Sequence, residues 1–161
     1  MGEGLTGAHV VVIGGSSGIG LATARMVLDH GANVTIAGRD ADRLASARDE
    51  LGDAVQARPL DVADENQVRE LFAGVDQVDH VAVLAGAQIV GRVTESDVAV
   101  MRHPMEVRFW GSVFVCKYGA PKMAADGSVT WHDVDLLGVS GSNVAIRGDG
   151  LAAGMNVLVP V

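Results

Sequence analysis

The clearest chemistry in this chain lies in seven consecutive residues, Gly14-Gly15-Ser16-Ser17-Gly18-Ile19-Gly20. Backbone N–H groups at the start of a helix can gather around a diphosphate only where the chain approaches it closely, and glycines permit that approach because they carry no Cβ. Gly14, Gly18 and Gly20 supply three such gaps, and the amides around Ser16, Ser17 and Ile19 are placed to point at the anion. A second place of interest is Ala37-Gly38-Arg39-Asp40. Arginine is suited to a phosphate because its planar fork donates in pairs, whereas an aspartate either accepts from a sugar hydroxyl or caps a following helix.

These residues need a frame, and the sequence supplies one. His9 to Ile13 is a short Val-rich run, the glycine loop follows, and an apolar-periodic stretch runs from Leu21 to His30 before Gly31. Strand, tight loop and helix is the order that exposes helix amides to a ligand. Asn33 to Ala37 reads as a second strand, and Asp40 to Leu51 as a helix with Leu44, Ala47 and Leu51 on one side. The alternation continues with a strand at Val55 to Leu60, a helix at Asp64 to Ala73 with Val68, Leu71 and Phe72 inward, and a strand at His80 to Leu84. Such alternation implies a parallel sheet covered on both faces. A long helical region then spans Glu95 to Met123, where Pro104 is expected to start a new segment rather than sit inside one. Gly127 to Val134 reads as a fifth strand, Leu136 to Gly150 as a glycine-rich loop, and Met155 to Val161 as a last buried strand. The expected fold is therefore α/β, a Rossmann-like doubly wound parallel sheet of about six strands in one domain over residues 1–161. In that setting Arg39, at the end of the second strand, favours a ribose 2′-phosphate, hence NADP(H) over NAD(H).

Composition narrows the partners. A formal charge of -8, with 12 scattered Lys and Arg, does not suit nucleic acid, and a small-molecule ligand is the better expectation. Cys116 has no second cysteine with which to pair, the five histidines are dispersed, and neither a metal site nor a signal or membrane segment is expected, so the chain reads as cytoplasmic. At 161 residues, 48% of them hydrophobic, the chain is long enough to bury roughly 70% of its extended surface on folding.

Taken together, these segments resemble the short-chain dehydrogenase/reductase family over about residues 5 to 130. Gly14-x3-Gly18-Ile19-Gly20 matches its cofactor loop, with Ile13 where the family usually has Thr. Arg39 falls on its NADP-selecting position, and Asp61-Val62 on the pair that contacts adenine. Ala85-Gly86 matches the end of an Asn-Asn-Ala-Gly motif, while Gly111, Pro121-x-Met123 and Gly127-Ser128 track the fourth helix and fifth strand. The resemblance implies a bound nicotinamide dinucleotide and a homodimer contact through the helical region 95–123.

The likeness ends where the family keeps its chemistry. Its carbonyl reduction uses a Tyr acid, a Lys four residues on, a Ser and an Asn. The Asn position falls on Arg108 and the Ser position on or beside Asp133-Val134, and the helix that carries the Tyr and Lys reads as deleted. Tyr118-x3-Lys122 has the right spacing but precedes the fifth strand. His132 and Asp133, with Arg108 and Tyr118, are the remaining candidates for moving a proton. Three functions stay open: a non-redox enzyme that isomerises, dehydrates or cyclises a small carbonyl compound without needing the nucleotide for its reaction, an NADP(H)-dependent oxidoreductase with unusual proton donors, and a catalytically silent nucleotide-binding or regulatory protein.

Overall fold

A computed structural model of the chain describes residues 5–86, 91–123, 135–140 and 143–147. The chain divides into two units, one up to Asp126 and one from Gly127 onward. In the first, strands β1 (His9–Ile13), β2 (Asn33–Gly38), β3 (Gln56–Pro59) and β4 (His80–Val83) alternate with helices α1 (Gly18–Asp29), α2 (Ala41–Leu51) and α3 (Glu65–Ala73). The four strands form one parallel sheet in the order β3-β2-β1-β4.

The strand β1 explains why the sheet is doubly covered. Successive side chains on a strand point to opposite faces, and here both faces are dry: Val10, Val11, Val12 and Ile13 are all buried. Val11 and Ile13 join Val68 and Phe72 of α3 in one core. Val10 and Val12 join Ala24 of α1 and Leu44 of α2 in the other. Each fully buried valine, isoleucine or phenylalanine removes enough apolar surface from water to contribute roughly 1.5–3 kcal/mol. Only Thr35 is polar within the buried set described, and its hydroxyl meets Nε2 of His9 at 2.9 Å. His9 Nδ1 also lies 2.8 Å from the carbonyl oxygen of Gln77, so this histidine ties β1, β2 and the approach to β4 together.

Aspartates start the next helices. Asp40 accepts from the Arg43 amide at the head of α2, and Asp64 from the amides of Asn66 and Gln67 at the head of α3. Such caps satisfy amides that have no partner within their own helix.

The region from Glu95 onward differs from its expectation. Helix α4 (Val98–Met105) contains Pro104 near its end instead of beginning there. Proline removes one helical N–H, and a π-helical turn, Glu106–Trp110, follows directly before α5 (Gly111–Gly119) and a short 3-10 turn, Ala120–Lys122. The break expected at Pro104 is thus displaced by two residues and takes the form of a widened turn. Gly111 lets α5 approach the chain beyond β3: a Cβ there would lie 2.9 Å from Val62 Cγ2.

In the second unit, β5 (Asp135–Ser140) and β6 (Asn143–Arg147) pair antiparallel, with Asp135 opposite Arg147 and Ser140 opposite Asn143, and an irregularity between Leu136 and Gly138. A loop was expected over this stretch, because its glycines obscure the alternation. The two-residue Gly141-Ser142 spacer between β-forming runs is the hairpin signal that the loop reading passed over. The expected strands at 127–134 and 155–161 lie outside the described residues, so the parallel sheet has four strands among those described.

Candidate functional site

The four strands end at one edge. Ile13 is level with Ala37 on one side and Val83 on the other, and Gly38 with Pro59. After β1 the chain builds outward to β2 and β3, then returns to place β4 on the opposite flank, so neighbouring connections diverge above β1. Open α/β sheets bind ligands in the crevice at such a switch point. A cleft of about 330 Å³ lies there, within the range of small-molecule sites.

The glycine loop makes its floor. Gly14 has φ +90, and a Cβ on it would meet the backbone of Ala85 at 2.6 Å, so β4's exit passes directly against the loop. Gly14 and Gly15 donate to the carbonyl of Ala37 at 2.7 and 3.3 Å, and Leu84 donates to the carbonyl of Ile13 at 2.7 Å. A Cβ on Gly20 would stand 2.0 Å from the Gly14 carbonyl oxygen. The start of α1 is therefore folded back on the end of β1. Its cap residue, Ser17, makes no side-chain capping bond, and no acidic residue lies in the first turn. The leading amides of α1, unlike those of α2 and α3, are left for another acceptor.

Of the residues singled out from sequence, Gly14, Ser16, Ser17, Ile19 and Gly20 line the cleft from the loop, Arg39 from the end of β2, Asp61 and Val62 from beyond β3, and Ala85 and Gly86 from beyond β4. Gly18 does not line it; its φ of +54 and the open space around it make it the turn that starts α1. The Asp61 carboxylate accepts from the Ala63 amide at 3.0 Å, which fixes the bend that carries Val62 inward. Sequence reasoning missed Arg43 and Val107, which also line the cleft. Arg39 precedes the Asp40 cap and lies outside α2, so the available signal was the Asp40-x-x-Arg43 spacing at the helix start, which brings the two side chains together. Arg43 Nε lies 3.2 Å from Asp40 Oδ2, while its amide donates to Oδ1 of the same carboxylate. Val107 gave no signal, because its inward direction depends on the π-helical turn.

Of the proton-transfer candidates that lie among the described residues, Tyr118 does not line this cleft. Tyr118 is turned toward α3, where its hydroxyl donates to Glu65 Oε1 at 2.8 Å, and Lys117 Nζ donates to the same oxygen. The Lys117 bond, then that of Tyr118, holds the Glu65 carboxyl below the usual range, and Glu65 raises the Lys117 ammonium in return. Lys122 donates to the Val75 carbonyl at 2.9 Å. The Tyr118-x3-Lys122 spacing thus joins α5 to α3 rather than lining the cleft. Arg108 stands at the cleft rim beside Gly86. His132 and Asp133 lie outside the described residues. Among those described, no group of three His, Cys, Asp or Glu could hold a metal, and no helix is long and apolar enough to cross a membrane.

A parallel sheet with a glycine loop at its switch point defines a Rossmann-type α/β protein. The family model of the short chain dehydrogenases matches residues 8–130, and the chain belongs to that family. It is 31% identical over 145 residues to an uncharacterized oxidoreductase of Staphylococcus aureus, covering 87% of this chain and 62% of that protein. It is 36% identical over 122 residues to a 3-dehydrosphinganine reductase of Danio rerio, covering 68% and 37% respectively. Among solved structures, L-sorbose reductase from Gluconobacter frateurii, complexed with NADPH and L-sorbose, superposes with a TM-score of 0.71 at 27% identity, over 79% of this chain and 51% of that one. The chain spans about 62% of the length of the first curated relatives it matches.

Proposed function

We propose that the chain binds a nicotinamide dinucleotide, NADP(H) in preference to NAD(H), and serves an oxidoreductase reaction on a small carbonyl or hydroxyl compound. The observation that carries this reading is the uncapped head of α1 folded onto Gly14, with no room for a Cβ at Gly20. The diphosphate would accept from the leading α1 amides. Arg39 and Arg43 would pair with the ribose 2′-phosphate at the β2 end, and Asp61 and Val62 would border the adenine. When bound, the dinucleotide supplies or accepts a hydride at its nicotinamide. Relatives named as oxidoreductases and reductases favour this reading over the non-redox one.

The reading also assigns the exposed apolar side chains of the helical region to a second copy of the chain. Met105, Phe109, Trp110 and Val113 are exposed there, whereas only Val107 and Val115 are buried. Phe109 and Trp110 pack edge to face at 5.3 Å, a paired anchor of the kind found at the centre of protein contacts.

Titration with NADP+ and NAD+, followed by melting temperature, tests the nucleotide reading. A ligand that binds only the folded state at a hundred times its Kd adds about 2.7 kcal/mol of stability. A larger upward shift with NADP+ than with NAD+ is expected. No shift with either nucleotide refutes the proposal.

A further inference from the structure

Arg108 carries a charge that the nucleotide site above does not use. It follows Val107, whose buried side chain forms part of the cleft wall, so the backbone delivers Arg108 to the rim one residue later. Its guanidinium faces Gly86: Nη2, Cζ and Nε lie 3.2, 3.7 and 3.7 Å from the point a Cβ on that glycine would occupy. The Nε–Nη2 side of the guanidinium is therefore the part nearest that glycine. An arginine has five N–H donors, and those on Nη1 lie away from this side.

No carboxylate among the described residues forms an ion pair with Arg108, and the hydrogen bond described for it is one its own carbonyl accepts from Ser112. At the opposite end of the cleft Arg43 is paired with Asp40, while Arg39, assigned above to the 2′-phosphate, forms no ion pair among the described residues. In a chain of net charge -8, a guanidinium beside a glycine and bonded to no acid among the described residues is a local point of attraction for anions.

We infer that Arg108 forms an anion subsite at the β4 end of the cleft, taking the paired oxygens of a carboxylate or phosphate that lies beyond Gly86. The inference rests on the dinucleotide reading, which puts the adenosine near Arg39 and the reacting half toward Gly86. The anion has two sources, the diphosphate of the nucleotide itself or an acidic group on the substrate.

The test follows the Gly86 amide by NMR in phosphate-free buffer for the natural protein, R108Q and R108K. Each is titrated with 2′,5′-ADP, which covers only the adenosine half, then with NADP+, and finally with inorganic phosphate and pyruvate in the presence and absence of NADP+. The natural and R108Q proteins bind 2′,5′-ADP alike, which also shows that the variant is folded. If the nucleotide supplies the anion, R108Q weakens NADP+ about tenfold. If the substrate does, NADP+ binding is unchanged and the response of Gly86 to pyruvate or phosphate is lost in R108Q and partly kept in R108K. An R108Q protein equal to the natural one in every titration overturns the inference. A natural protein that binds neither 2′,5′-ADP nor NADP+ refutes the dinucleotide reading instead, and the titrations without nucleotide then decide Arg108 by themselves.

Discussion

Gly20→Ala is the sharpest perturbation of the proposed diphosphate site. The new methyl group would stand 2.0 Å from the Gly14 carbonyl oxygen and 2.7 Å from its carbon, where real Cβ contacts stay above 3.0 Å. Both neighbours are main chain, and Gly14 is pinned by its bond to Ala37 at 2.7 Å, so no rotamer change relieves the contact. The head of α1 must move away from β1 by about 1 Å, an overpacking that costs roughly 1–3 kcal/mol. For a unit of this size that lowers the melting temperature by about 5–15 °C. The same movement withdraws the amides from the diphosphate, and misplacement on this scale can cost as much as a hundredfold in function; a fall in NADP+ affinity of at least about tenfold is expected. Gly18→Ala is the control, since nothing lies within 4 Å of its Cβ position and only the left-handed backbone is penalised, by about 1–2 kcal/mol. Differential scanning fluorimetry and NADP+ titration of the two variants provide the comparison. A Gly20→Ala protein that melts within about 2 °C of the natural one and binds NADP+ equally well would refute the geometry.

Arg39→Ala and Arg43→Ala are each expected to weaken NADP+ about tenfold, the scale of one lost charge-assisted contact, while leaving NAD+ within about twofold; equal losses for both nucleotides, measured by calorimetry, would remove the 2′-phosphate assignment. Tyr118→Phe is expected to leave nucleotide affinity unchanged and to lower the melting temperature through the lost bond to Glu65, so weakened NADP+ binding would contradict its placement outside the cleft. Asp64 is held below the usual carboxylate range chiefly by the Gln67 amide, and Glu65 by Lys117. Lowered folded-state values mean that their contribution to stability is present above about pH 4 and is lost as pH falls through that value and below. Urea midpoints across this window should fall less steeply for the Asp64→Asn, Glu65→Gln double variant, and an unchanged slope would show that these bonds do not stabilise the fold.

Much of the first unit was legible because its signals are local. Val10 to Ile13 followed by the glycine loop could be read as strand and turn without knowing any partner, and Asp40 and Asp64 mark their helices by capping chemistry alone. The inward side chains of α2 and α3 follow from a period of about four, and Leu44, Ala47, Val68 and Phe72 are buried as that period requires. What escaped depends on non-local geometry. The inward position of Val107 is set by a widened turn that no residue type announces. Arg43 is the local exception, since the Asp40 carboxylate three residues earlier engages both its amide and its guanidinium. Tyr118 had the spacing of a catalytic pair, yet spacing does not say which side of α5 meets α3, and Glu65 sits 53 residues away in the chain. The hairpin at β5 and β6 was hidden by glycines that interrupt its alternation.

The π-helical turn has a consequence for how this segment can tolerate insertions and deletions. The Gly111 amide reaches back five residues to the Glu106 carbonyl, where an ordinary helix reaches back four, so Glu106–Trp110 amounts to a helical turn with one residue added. A residue in the wider π turn rotates the chain less than the about 100° of an ordinary helical residue, so the added residue is absorbed locally, and removing one would restore regular winding with the downstream helix close to its present phase. Val115 and Gly119 would stay turned toward α3, whereas regular winding at the present length would carry them off it. A single-residue deletion in Glu106–Trp110 should therefore be tolerated better than one inside α5, where no added residue is available to lose.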